Sequence, residues 1–159
     1  MTTILRRLAP VAMVATFLGA NALPAHAEAW PWQSPQRPNS TYHCGTSRTV
    51  DTQHGALTFQ ECVIVYRSPN GSWYQGLLSA YYTSTKSPAR PEAFSGGQSV
   101  RLGGSEVDKN TCGTVTFPAR EAKWCFSPTR YTRPGPLVSA TGYISYAGVR
   151  YEVTAHASS

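Results

Sequence analysis

Between Ala56 and Tyr82 the chain reads ALTFQECVIVYRSPNGSWYQGLLSAYY, two apolar runs on either side of Pro69-Asn70-Gly71. Asn-Gly supplies the positive backbone dihedrals of a tight hairpin turn, so the two runs are expected to pair as antiparallel strands. In the second run Tyr74, Leu78, Ala80 and Tyr82 alternate onto one side, while Trp73, Leu77 and Tyr81 fall on the other. The first run starts as an alternation and becomes continuously apolar from Cys62 to Tyr66, the pattern of a strand covered on both faces. One face of this hairpin must be core. The second is either buried too or is a surface for a ligand.

The rest of the chain follows the same grammar. From Tyr42 onward turn residues separate short segments, and no window carries helical periodicity. Strands are expected at 100–102, 113–117 and 122–126, the last two joined through Pro118-Ala119-Arg120. A further pair, 137–145 and 149–157, turns at Tyr146-Ala147-Gly148; in its second member Val149, Tyr151, Val153, Ala155 and Ala157 alternate with Arg150, Glu152, Thr154 and His156. Residues 84–99, STKSPARPEAFSGGQS, hold two prolines and a Gly-Gly and are expected to be a long loop. Seven to eight short antiparallel strands predict an all-β chain folded as a single β-sandwich, immunoglobulin-like or related, with a small β-barrel as the alternative.

Ahead of this domain, Met1–Arg7 is basic, Leu8–Leu23 is apolar and Ala25-His26-Ala27 is a small-x-small cleavage site. These are the three parts of a signal peptide spanning 1–27, which predicts a secreted, extracellular protein with no membrane span once it is cleaved. Residues 28–40, EAWPWQSPQRPNS, form a Pro- and Trp-rich arm before the domain at 41–159. Removing 27 of 159 residues leaves 132, enough for one domain with its own core. Two of 14 basic residues leave with the leader, so 12 face 8 acidic ones, a formal charge of +4. They are scattered singly, which speaks against a nucleic-acid partner and leaves attraction to anionic cell-wall polymers open.

All four cysteines, Cys44, Cys62, Cys112 and Cys125, lie in the exported part, an even count that predicts two disulfides. Three pairings are open; the local solution joins Cys44 to Cys62 and Cys112 to Cys125, the second across a hairpin of residues 113–124. No Cys-x-x-Cys pair exists, so neither a metal nor another cofactor is expected.

The segments FQECVIVYR, KNTCGTVTFPAREAKWCFSPT and GPLVSATGYIS together resemble small exported proteins of high-GC Gram-positive bacteria built as two-disulfide β-sandwiches. The resemblance spans most of the chain after the leader. It implies a secreted domain and carries over no catalytic residue.

Searching for chemistry yields few leads. The chain lacks a Gly-x-Ser-x-Gly elbow, a phosphate loop and His-Glu-x-x-His. Asp51 and His54 are the one candidate pair for a small hydrolase. Among Glu61, Glu92, Glu106, Asp108, Glu121 and Glu152 nothing marks two as glycosidase partners. The expected function is therefore a non-catalytic extracellular domain binding glycan, cell-wall polymer or a protein partner. Its candidate ligand surface is the outer row of Trp73, Gln75 and Tyr81, unless the Trp30 and Trp32 arm folds over that row. The alternative is a protease inhibitor presenting loop 84–99, with Arg90 as primary contact.

Overall fold

The structure is a computed structural model, described for residues 31–35, 41–133 and 135–158; the leader, Trp30 and most of the arm lie outside the described residues. Among the described residues ten strands form two antiparallel sheets: β1 (Thr41–Cys44), β2 (Arg48–Asp51), β3 (Gly55–Ser68), β4 (Gly71–Ser84), β5 (Glu92–Leu102), β6 (Ser105–Phe117), β7 (Glu121–Phe126), β8 (Arg130–Thr132), β9 (Leu137–Tyr146) and β10 (Val149–Ser158). One sheet runs β1-β3-β4-β7, with β2 also on β3 and β8 also on β4; the other runs β10-β9-β5-β6. The chain is a β-sandwich.

Strand number exceeds the expected seven to eight because the central hairpin is long. β3 and β4 are 14 residues each, and every flank is served by two short strands in succession, β1 then β2 on one side and β7 then β8 on the other. The turn also differs in detail. Register closes at Ser68 opposite Gly71, so Pro69 and Asn70 form the turn and the positive φ falls on Gly71 alone. Proline fixes φ near −65°, which rules out the mirror-image turn that Asn-Gly suggested. At the other end of the chain Ala147 and Gly148, with φ of 50° and 78°, make that mirror-image turn between β9 and β10.

Two expectations are corrected. Residues 84–99 are not one loop: Glu92 begins β5, which pairs with β6 and β9 and leaves only residues 85–91 as the connection. Gly96 and Gly97, read as loop residues, sit in mid-strand at a register shift because bulky rings lie on both faces of them. A methyl group on Gly96 would meet the Trp32 ring at 3.0 Å, and one on Gly97 would meet the Tyr143 ring at 2.8 Å. Nor do residues 113–117 and 122–126 form a hairpin. β6 pairs with β5 and β7 with β4, so Pro118–Arg120 is a corner between sheets, turned at Arg120 with φ of 63°. The corner lets Phe117 and Cys125 enter one core from opposite sheets.

Both disulfides join the sequential partners, with different roles. Cys44–Cys62 links directly opposed residues of β1 and β3 within a sheet, and Cys112–Cys125 ties β6 to β7 across the sandwich. Inside, alternation places Leu57, Phe59, Leu78, Ala80 and Tyr82 against Phe94, Phe117, Ile144 and Val153. Phe94 meets Tyr82, Phe117 and Tyr146 with centroids 5.4–5.7 Å apart, a spacing at which aromatic pairs add about 0.5–1.5 kcal/mol each beyond burial.

One polar seam crosses this core. Glu61, Gln98 and Asn110, from β3, β5 and β6, are buried. The amide nitrogens of Gln98 and Asn110 donate to the Cys125 and Phe126 carbonyls at 3.1 and 3.3 Å, while their oxygens and both Glu61 oxygens lack a hydrogen bond of good geometry among the described residues. Space for the seam comes from Gly76 and Gly142, where a methyl group would strike Gln98 Oε1 at 2.6 Å and Glu61 Oε2 at 2.0 Å. Burial pushes the Glu61 carboxyl well above its usual range, outweighing the Leu77 backbone, which acts in the opposite direction. Burial thus favours the neutral form of Glu61, which can donate to a neighbouring oxygen where a carboxylate could not.

Candidate functional site

The outward face of the β3–β4 sheet starts from the odd-numbered residues of β4, and the structure divides the expected row into three. At the hairpin end Tyr66, Trp73 and Tyr131 stand directly opposite one another across β3, β4 and β8. Trp73 and Tyr131 are each 46% exposed, their rings 5.1 Å apart, and the Tyr131 hydroxyl donates to the Asn70 carbonyl. In the middle the face closes. Leu77 is 1% exposed because Cys62, Ile64 and Phe126 surround it and Tyr42, Tyr66 and Trp124 pack over the group. Gln75 is committed as well, its Nε2 donating to the Ser127 carbonyl at 2.6 Å.

Beyond this outer core the face opens again into a cleft of about 190 Å³ between Tyr81 and Trp124. Register explains the walls and the floor. Tyr81 lies opposite Ala122, and Trp124 lies opposite Ser79, so two rings stand over small neighbours. Ser47, Thr58 and Gln60 complete the lining. Part of the floor's donor capacity is already used: Gln60 Nε2 donates to the Gly45 carbonyl at 2.6 Å, Ser79 Oγ to the Gln60 carbonyl at 3.2 Å, and the Thr49 and Thr58 hydroxyls bond each other at 2.9 Å. What remains for a ligand is acceptor oxygen with a few spare donors beneath and aromatic ring beside, the complement of a hydroxyl-rich ring with apolar faces.

The described part of the arm, residues 31–35, does not fold over Trp73 or Tyr81. Gln33 exchanges backbone hydrogen bonds with Trp124 at 2.7 and 2.8 Å, extending the sheet beyond β7. Trp32 then turns inward, edge-on to Phe117 at 5.5 Å, with its indole N–H donating to the Gly113 carbonyl at 3.3 Å. The arm's described part therefore braces the wall of the cleft that carries Trp124 and leaves Tyr81 44% exposed. Trp124 itself was not among the expected ligand residues. Its partner in the cleft is set by pairing of β4 with β7, and alternation within a single strand cannot reveal that.

The other expected sites are placed differently. Asp51 is exposed at the end of β2, and no hydrogen bond joins it to His54. The His54 amide instead donates to Glu92 Oε2 at 3.1 Å, and its carbonyl accepts from Ser84 Oγ at 3.1 Å, so the serine nearest to it meets the backbone and not the imidazole. Glu92 also accepts from Thr52 and, at 3.0 Å, from the Tyr146 hydroxyl, an arrangement that fastens the 52–55 turn to the start of β5. Arg90 is exposed but its backbone is tied down, the amide donating to Ser84 Oγ at 3.0 Å and the carbonyl accepting from Tyr82 at 3.0 Å. The connection that carries it spans seven residues, 85–91, in place of the expected loop 84–99.

A comparison of the chain with protein-family models finds no match, and a comparison with curated proteins finds none either. Among the described residues no helix is long and apolar enough to cross a membrane, and two disulfides suit an oxidising compartment.

Proposed function

We propose that this chain is a secreted, non-catalytic binding domain whose Tyr81–Trp124 cleft takes a saccharide ring of an extracellular glycan or cell-wall polymer. The observation that carries the reading is the cleft's composition: two aromatic walls, acceptor oxygens on the floor and a volume of about 190 Å³. Drug-sized ligands occupy about 300–1,000 Å³, so this space suits one ring of a longer chain. Rings stacked on Tyr81 or Trp124 would cover apolar sugar faces, while sugar hydroxyls would donate to Ser79 and Gln60. The exposed Trp73–Tyr131 pair lies farther along β4 and supplies a second place for the same chain to stack. Export is supported by the signal-peptide pattern of residues 1–27 and by the two disulfides.

The test is retention of the mature protein on insoluble chitin, cellulose and isolated cell wall. Wild type should be retained on at least one, and Tyr81→Ala should lose about tenfold or more in affinity with its melting temperature unchanged, as expected for one stacking contact. Equal retention of wild type and Tyr81→Ala on every matrix, or none by wild type, would overturn the reading.

A further inference from the structure

The outward face of the four-stranded sheet carries a different site. Alternation along β5, β6, β9 and β10 sends Ser99, Lys109, Thr141 and Thr154 outward in one register row across all four strands. The short side chains Ser99 and Thr141 occupy its middle, and taller groups stand on either side, so the face sinks into a trough of about 340 Å³. One bank is Arg101, Glu106 and Lys109. The other is Tyr143, Arg150 and Glu152, which form a rigid stack: the Tyr143 ring lies over Gly97, the Arg150 guanidinium sits 3.6 Å from the centre of that ring, and Arg150 Nε donates to Glu152 at 2.7 Å.

The two banks differ in what they leave unsatisfied. Arg150 is stacked and paired. Arg101 and Lys109 are exposed, and neither side chain has an ion-pair or hydrogen-bond partner among the described residues, although Glu106 stands opposite Arg101 in register. Two unpaired cations therefore look across a hydroxyl floor toward an aromatic ring edge. The chain's scattered positive charge, featureless in sequence, is gathered here with three cations against two carboxylates in the lining.

We propose that this trough is a second ligand site and that it takes a carboxylate-bearing saccharide, its acidic group held by Arg101 and Lys109 and its hydroxyls by Ser99, Thr141 and Thr154. A neutral sugar would leave the cations unused. A phosphorylated one would bring nearly two charges per group up to Glu106 and Glu152, whereas a carboxylate brings one and matches the single excess charge of the lining. The site lies on the opposite face of the sandwich from the Tyr81–Trp124 cleft and does not depend on it; with both occupied, the domain would join a neutral ring on one side to an acidic chain on the other.

Titration of the mature protein with tetragalacturonate, maltotetraose and a phosphorylated maltotetraose tests this. At about 0.05 M salt tetragalacturonate should bind at least about tenfold more tightly than either competitor and should weaken by about tenfold at about 0.5 M salt, because exposed charges are screened beyond a few ångströms there. Arg101→Ala with Lys109→Ala should remove that preference at unchanged melting temperature, and Arg101→Lys should restore part of it. Tyr81→Ala should leave it intact. No binding of tetragalacturonate, binding indifferent to salt or to the double substitution, or tighter binding of the phosphorylated sugar would overturn the proposal. Loss with Tyr81→Ala would overturn it too, by placing the acid in the cleft and leaving the first reading standing.

Discussion

The two outward faces of the sandwich obey one rule of alternation and end up as different materials. On β9 and β10 the outward residues are Ser139, Thr141, Tyr143 and Ser145 beside Arg150, Glu152, Thr154 and His156, a wet surface of the kind expected when a sheet has one core face. On β3 and β4 the outward residues are Cys62, Ile64 and Tyr66 beside Trp73, Leu77 and Tyr81, and the centre of that face is dry. Here a sheet surface buries a second, smaller core, and among the described residues rings and a disulfide, not a further layer of secondary structure, lie over it. The same covering rings then become the walls of the cleft, since Trp124 both closes over Leu77 and faces Tyr81. On this face residues of the outer core also line the proposed binding cleft, whereas the proposed trough on the other face is lined by residues outside the cores.

That difference predicts an asymmetry in mutational cost. Leu77→Ala should lower stability by about 3 kcal/mol by opening a cavity under Trp124, while Thr141→Ala on the opposite face should change it by less than about 0.5 kcal/mol. Chemical denaturation of both variants checks this, and similar costs would mean that the outer core is not a core. Comparable in size is the tie between the two faces. Replacing Cys112 and Cys125 by alanine should cost about 3 kcal/mol for a loop closed by residues 13 apart in sequence. The melting temperature should fall while the far-ultraviolet spectrum stays β-rich, and an unchanged melting temperature would show that the sheets hold together without the bond.

Much of this was legible in the sequence, and the failures have physical causes. The inward and outward assignments of β4 and β10 follow from period-two alternation, and of the three open disulfide pairings the one favoured by proximity along the chain is the one found. Turn chemistry misled where a residue's role was set by a distant neighbour. Gly96-Gly97 signals a loop only if one overlooks that glycines also seat rings, Trp32 on one face and Tyr143 on the other. Pro118-Ala119-Arg120 resembles a hairpin turn, yet it is a corner, because β7 is claimed by β4. The cleft was half visible for the same reason: Tyr81 could be placed on an outer face from its own strand, but Trp124 could be placed beside it only through the pairing of β4 with β7.

Between the faces, Glu61 gives a smaller effect with a definite sign. The folded chain binds this proton more tightly than the unfolded chain, whose carboxyl titrates near its ordinary value of 4.5. Stability should therefore fall as pH rises from about that value through the raised folded value and level off above it. Glu61→Gln, which keeps the shape and supplies donors toward Gln98 Oε1, should flatten that part of the curve and be more stable than wild type on its alkaline side. Unfolding measured from pH 4 to pH 9 checks it; parallel curves would mean that Glu61 is ionised in the fold. Smallest of all should be Trp73→Ala, less than about 0.5 kcal/mol, since its ring is 46% exposed and packs chiefly on Tyr131. A larger loss would show that the hairpin end of the aromatic face also serves as structure.

The central claim is that the aromatic face keeps one cleft open for a sugar, and the indole N–H resonances of the tryptophans read it directly. They report separately on the cleft wall at Trp124, the exposed pair at Trp73 and the half-buried brace at Trp32. Titrating a neutral oligosaccharide of the glycan that retains the protein should shift Trp124 in a saturable way, shift Trp73 only with the longer oligomers, and leave Trp32 in place. A saturable shift at Trp32 without one at Trp124, or no shift at any indole while the glycan is bound, would contradict the account.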